Sequence, residues 1–208
     1  MPGKFITLEG TEGVGKSTNL EFVQDYLRKE NIDFIVTREP GGTELSEELR
    51  DMLLKHRNES FDEMAELLMI FAARSQHLSE KIRPALASNQ WVLCDRFTDA
   101  TFAYQGAGRK IAKKFVETLE KQVQGNLHPD LTFILDIDVQ IGLERARLRG
   151  NLDRFEVEDV QFFERVREGY HERVSANPQR YCVIDAGQPL KKVQQEIESR
   201  LKIFMSEP

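Results

Sequence analysis

The sequence predicts an α/β fold, a five-stranded parallel sheet with helices on both faces, and three observations carry that expectation. Five short apolar runs, Phe5 to Leu8, Phe34 to Val36, Trp91 to Cys94, Leu131 to Leu135 and Tyr181 to Ile184, are rich in β-branched or aromatic residues. They do not alternate polar with apolar, as expected of parallel strands buried on both faces. Longer segments of helical periodicity separate them, which implies right-handed crossovers that cover the sheet. All five runs also exit into polar or turn-forming residues, on the edge where such sheets bind ligands.

Taken in order, the first run leads into Gly10-Thr11-Glu12-Gly13-Val14-Gly15-Lys16-Ser17, which fits G-x-x-x-x-G-K-[ST] at every fixed position. A strand before and an amphipathic helix after make the match specific, and the fold class narrows to the P-loop NTPase type. Glycines let backbone N–H groups curl around phosphate oxygens at a helix N-terminus. Lys16 is expected to reach the β- and γ-phosphates of ATP, and Ser17 to ligate Mg²⁺. The nucleotide-binding run covers Gly10 to Ser17 and the following Thr18. Asn19 to Lys29 then places Leu20, Val23 and Leu27 on one helix face.

The second run exits into Thr37 and Arg38, with Glu39-Pro40-Gly41-Gly42 behind them. A long helix is predicted from Phe61 to Ala87, carrying Met64, Leu67, Leu68, Phe71, Leu78 and Ile82. The third run exits into Asp95-Arg96, the fourth into Asp136 and the fifth into Asp185. Lys191 to Phe204 closes the chain with Val193, Ile197, Leu201 and Phe204 on one stripe. No repeat or linker interrupts residues 1–208, so one domain is expected, with a lid at 143–157.

Composition narrows the function classes. A net charge of −6 argues against nucleic acid as the main partner, since general binders carry a basic excess. No stretch approaches the roughly 20 apolar residues of a membrane helix, so no membrane partner is expected. The start, Met1-Pro2-Gly3-Lys4, lacks a signal-peptide layout, and Cys94 and Cys182 sit inside apolar runs. Buried thiols and a cytoplasmic location are the expectation.

Around the loop stand residues suited to a phosphate acceptor. Asp95 ends a buried strand, where a carboxylate needs a cation, a cap or an ion pair; a place beside Mg²⁺ or its waters fits. Arg38 and Arg96 leave two strand ends that can converge, and paired guanidiniums would clamp a phosphate dianion, although surface ion pairs are the plainer reading of each. Phe71 and Arg74, one turn apart, would suit a nucleobase by stacking and hydrogen bonding, but core packing is the commoner use of an aromatic at that spacing.

Arg145, Arg147, Arg149 and Arg154 fall within ten positions of an acidic chain. Arg145 and Arg149 share a helix face, where like charges repel unless an anion lies between them. Gly150-Asn151 then ends the helix and leaves Arg154 on a turn. The island is either a solvated face paired with Glu144, Asp153 or Glu156, or a lid whose arginines neutralise the transferring phosphoryl group. Phosphoryl transfer to a monophosphate needs no general base, because the acceptor's second pKa is about 6. His56, His77, His128 and His171 are scattered and read as structural.

These motifs resemble bacterial thymidylate kinases over essentially the full length: Phe5 to Gly10 leading into the loop, Thr37-Arg38-Glu39-Pro40-Gly41-Gly42-Thr43, Phe71-Ala72-Ala73-Arg74, Asp95-Arg96-Phe97, Tyr104-Gln105-Gly106 and Leu152-Asp153-Arg154. The resemblance implies transfer of the ATP γ-phosphoryl group to thymidine monophosphate. It implies Phe71 stacked on thymine, Arg74 on a thymine carbonyl, and Thr101 and Gln105 around base and sugar. It further implies Tyr104 crowding the ribose 2′ position, Glu12 near the acceptor's sugar and phosphate, Arg38 and Arg96 on the acceptor phosphate, and a homodimer. The loop holds no Arg, so the catalytic cation is expected from the lid, at Arg149 and Arg154, acting with Lys16, Arg96 and Asp95, while Arg145 serves ATP. Phe97 departs from the Tyr or His of many relatives, which removes a hydrogen bond there. A kinase for another base, or a nucleotide-dependent switch, are the rival readings; the strand-four exit, Asp136-Ile137-Asp138, lacks a switch's Asn-Lys-x-Asp.

Overall fold

All five predicted strands form, each running one or two residues further than its apolar core: β1 (Phe5–Glu9), β2 (Phe34–Arg38), β3 (Trp91–Asp95), β4 (Leu131–Asp136) and β5 (Tyr181–Asp185). The computed structural model describes residues 2–150 and 152–206. Met1, Asn151, Glu207 and Pro208 lie outside it, and with them the readings of the chain start at Met1 and of Asn151 in the helix stop. The sheet is parallel, in the order β2-β3-β1-β4-β5. Its register lines up the functional exits: Arg38 pairs with Asp95, Leu8 with Asp95 and Asp136 with Asp185. Burial on both faces holds for β1 and β3, but β2 and β5 are edge strands and only partly covered.

The helices are α1 (Lys16–Lys29), α2 (Glu44–Leu54), α3 (Glu63–His77), α4 (Arg83–Ala87), α5 (Thr98–Thr101), α6 (Lys113–Gln124), α7 (Val139–Arg149), α8 (Val160–Ala176) and α9 (Leu190–Ser206). Ile6 and Leu8 face α1 and α9 in a cluster with Leu27, Phe133, Ile197 and Leu201. Phe5 faces the other way, with Leu78, Ile82 and Phe97. A fully buried Leu of this kind contributes about 1.5–3 kcal/mol.

Two segments depart from the sequence reading. The predicted helix Phe61 to Ala87 begins at Glu63 behind the Asp62 cap, whose carboxylate accepts from Ala65 N at 2.9 Å. It then widens to a π-helical turn at Leu78–Ile82 before α4. Phe102–Gly108 is π-helical as well, where no element was expected. Such wide turns cluster at functional sites because they re-aim side chains that a regular helix would space evenly.

Candidate active site

The exits of β1, β2 and β3 open onto one cleft of about 760 Å³, whereas Asp136 and Asp185 at the ends of β4 and β5 do not line it. Its floor is the glycine-rich loop between β1 and α1. Gly13 has φ 70°, and a Cβ there would meet the backbone of Gly142 on α7, so only glycine fits that approach. Gly15 caps α1 at φ 83° without a side-chain hydrogen bond, which leaves first-turn N–H groups to an anion. Lys16 Nζ donates to the carbonyls of Gly10 at 3.2 Å and Thr11 at 3.0 Å, across its own loop. Burial and then the Arg96 charge press its pKa down, which favours a phosphate neighbour.

Asp95 and Arg96 stand beside the loop. Asp95 Oδ1 is buried without a hydrogen-bond partner among the described residues, a free hard-oxygen donor in the cleft that Ser17 also lines. Arg96 is held at φ 66°, a left-handed conformation that costs a non-glycine residue of order 1 kcal/mol or more. Its guanidinium donates to Glu12 at 2.6 Å and lies over the Tyr104 ring at 4.7 Å. Tyr104 OH also donates to Glu12, at 2.9 Å. Burial pushes the Glu12 carboxyl up, but Arg96 and Lys16 outweigh it and hold it at about 2.

Arg38 lines the cleft and is half exposed, its guanidinium on Glu47 at 2.7 Å. The sequence reading missed Arg50 of α2, which lines the same cleft and donates to Pro40 O at 2.8 Å. Burial lowers its pKa, and Arg38 and Arg96 lower it further. Arg50, pressed by two neighbouring guanidiniums, joins them in a place for a multiply charged anion. Nothing in the spacing of α2 singles out Arg50; the turn that swings α2 back over the β2 exit brings it in.

Arg74 is buried, 1% exposed, and doubly held: Nε donates to Glu39 at 2.6 Å and Nη2 to Thr101 Oγ1 at 2.8 Å. Glu39 in turn meets His77 Nδ1 at 3.0 Å, and His77 Nε2 meets Thr37 Oγ1 at 2.6 Å. Arg74 Nη1 is buried with no partner among the described residues and belongs to a residue that lines the cleft. Thr101 and Gln105 line it too.

Phe71 departs from expectation. It does not line the cleft but packs with Leu67, Phe102 and Val116 in the core, under the Arg74 guanidinium at 4.9 Å. Ile70 takes the cleft-facing position instead. Residues 70 and 74 are four apart and share a helix face, whereas 71 is rotated toward α6 and the Phe102–Gly108 turn.

The arginine island divides. Arg145 and Arg149 line the cleft; Arg145 Nη1 donates to Ala186 O at 3.2 Å, and Arg149 pairs with Glu156. That pairing is the one the solvated-face reading named. Arg147 is exposed and Arg154 turns away from the cleft onto Glu66, at 2.7 Å.

A thymidylate kinase family model matches residues 8–197. The chain belongs to the thymidylate kinase family. It is 62% identical over 205 residues to a thymidylate kinase of Teredinibacter turnerae, covering 99% of this chain and 100% of that one. A thymidylate kinase of Pseudomonas putida is 54% identical over 201 residues, 97% of this chain and 96% of the relative. Among solved structures, thymidylate kinase from Ehrlichia chaffeensis superposes with a TM-score of 0.80 at 33% identity, covering 97% of this chain and all of the other. Within this family frame Phe97 is a core residue: it is edge-on to Phe5 at 4.9 Å, and its N–H donates to Glu9 at 2.6 Å.

Proposed function

We propose that the chain transfers the γ-phosphoryl group of ATP, in line, to thymidine monophosphate, giving thymidine diphosphate for dTTP biosynthesis. The observation that carries it is one cleft holding a phosphate loop, a cluster of Arg38, Arg50 and Arg96, and a base-sized polar set of Arg74, Thr101 and Gln105. The unpartnered Nη1 of Arg74 suits a pyrimidine carbonyl, and Ile70 gives the base an apolar wall. Tyr104, fixed by Glu12 and Arg96, is the steric gate against a 2′-hydroxyl.

The acceptor is largely dianionic near neutrality, so alignment and charge neutralisation are the work left to the protein. Arg38, Arg50 and Arg96 hold the acceptor phosphate, and arrival of that phosphate draws Arg38 from Glu47 and Arg96 from Glu12. Lys16 and the loop residues Gly10 to Thr18 hold the triphosphate, with Arg145 toward the nucleoside. Arg149 leaves Glu156 for the transferring group; it takes the role that the sequence reading shared with Arg154, because Arg154 is committed elsewhere. Ser17 and Asp95 would hold Mg²⁺, whose bound charge would offset that of the triphosphate.

The chain acts as one domain, with residues 143–157 as its lid. A homodimer is supported by exposed apolar side chains on adjoining helices: Leu45 and Met52 of α2, Met64 and Leu68 of α3, and Phe115 of α6. Free Cys94 and Cys182 suit the cytoplasm. Coupled ADP release with ATP, Mg²⁺ and each nucleoside monophosphate in turn tests the assignment. Thymidylate should be the fastest acceptor; turnover of adenylate or guanylate with none of thymidylate would overturn it.

A further inference from the structure

Glu66 of α3 lies outside the cleft, with its side chain 1% exposed. It accepts hydrogen bonds from three residues on two segments that sequence keeps far apart. Gln105 Nε2 donates at 2.8 Å, Arg109 at 3.3 and 3.4 Å, and Arg154 Nη2 at 2.7 Å. A carboxylate buried this far is costly unless fully paired, and these partners supply the pairing. Because an ionised carboxylate only accepts, the Gln105 amide must turn its NH₂ toward Glu66, which leaves its oxygen uncommitted to Glu66. Gln105 lines the cleft; Arg154 does not.

Arg154 is built in from every side. Its Nε donates to Leu53 O at 2.8 Å and its backbone N–H to Leu54 O at 3.3 Å. The guanidinium lies 4.8 Å from the Phe61 ring and 4.3 Å from that of Phe155. Arg109 continues from Glu66 to Glu158 at 2.6 Å, on the far side of the lid. One carboxylate therefore fixes both a residue of the base end and the root of the lid.

We propose that Glu66 is a positioning residue that couples base recognition to lid docking through Gln105 and Arg154. It deepens the thymidylate reading and rests on it for the contact between base and Gln105. Seating the base against Gln105 and docking the lid through Arg154 then reinforce each other, since both draw on one rigid anchor.

The test compares Glu66→Gln, Arg154→Gln and the double variant in the full chain. It measures KM for thymidylate, kcat, and chymotryptic cleavage at Leu148 and Leu152 with and without thymidylate. Arg154→Gln leaves Glu66 paired with Arg109, so that variant should keep its fold, which thermal unfolding checks. Each single variant should raise KM about tenfold and speed lid cleavage, and the double should do no worse than either single. An unchanged KM and cleavage rate with kcat lost in Arg154→Gln would overturn the proposal, as would multiplying effects in the double. If the wild type fails to phosphorylate thymidylate, the substrate reading falls, while the cleavage rates of the three variants still judge the coupling.

Discussion

Arg74 and Arg149 both line the cleft, yet their surroundings differ. Arg74 is 1% exposed and tied at Nε to Glu39 and at Nη2 to Thr101. Arg149 is 59% exposed at the end of α7, and its partner Glu156 comes from the lid itself. The base end of the acceptor side is preorganised, with the Arg74 guanidinium locked before any ligand arrives. The lid keeps its cation on a short local tether that a phosphate can outcompete. A substrate that must be recognised calls for the first arrangement; a charge that develops only during transfer calls for the second.

The contrast is sharpest if one arginine is removed from each side. Arg96→Ala takes away an acceptor cation, the partner of Glu12 and the cover of Tyr104 together. We expect kcat/KM to fall about a thousandfold, with KM for thymidylate clearly raised. Arg149→Ala should lower kcat about a hundredfold and leave that KM nearly unchanged. Steady-state kinetics of the two variants decides it, and equal shifts of KM in both would erase the distinction.

How far the two sides were legible in the sequence follows from the same contrast. The loop, the strand exits and the lid helix were readable, because each is a local pattern: a fixed glycine spacing, an apolar run, charges four apart. The inward face of α3 was not, since choosing between Ile70 and Phe71 requires the rotation of that helix against α6 and the Phe102–Gly108 turn. Arg50 and Glu66 were equally hidden. Both carry ordinary helical side chains, and only tertiary folding brings them to Pro40 and to Gln105, Arg109 and Arg154. The π-helical turn at Phe102–Gly108 has no periodic signature to read.

A smaller effect tests how rigid the acceptor side is. Tyr104 makes edge contacts with Phe155, Phe162, Phe163 and Tyr170 at 6.1–6.5 Å, so its ring cannot swing aside for a larger sugar. Tyr104→Leu should cut the preference for thymidylate over its ribosyl analogue about tenfold, measured as a ratio of kcat/KM. An unchanged ratio would remove Tyr104 from the gate.

The smallest effect concerns stability and lies beneath the acceptor side. Glu9 ends β1, fully buried, and accepts from Phe97 N at 2.6 Å and Tyr170 OH at 3.0 Å. Burial, helped by the nearby Asp99 charge, raises its pKa from 4.5 to about 8. Between those two values the folded chain keeps a proton that the unfolded chain has released. Stability should therefore decline as pH rises through that window and level off above it. Glu9→Gln imitates the protonated form and carries no such charge, so its melting temperature should fall less than that of the wild type from about pH 5 to about pH 9. Parallel melting curves across that range would mean that Glu9 is ionised in the fold at neutral pH, and that the rigid half of the cleft rests on a buried charge.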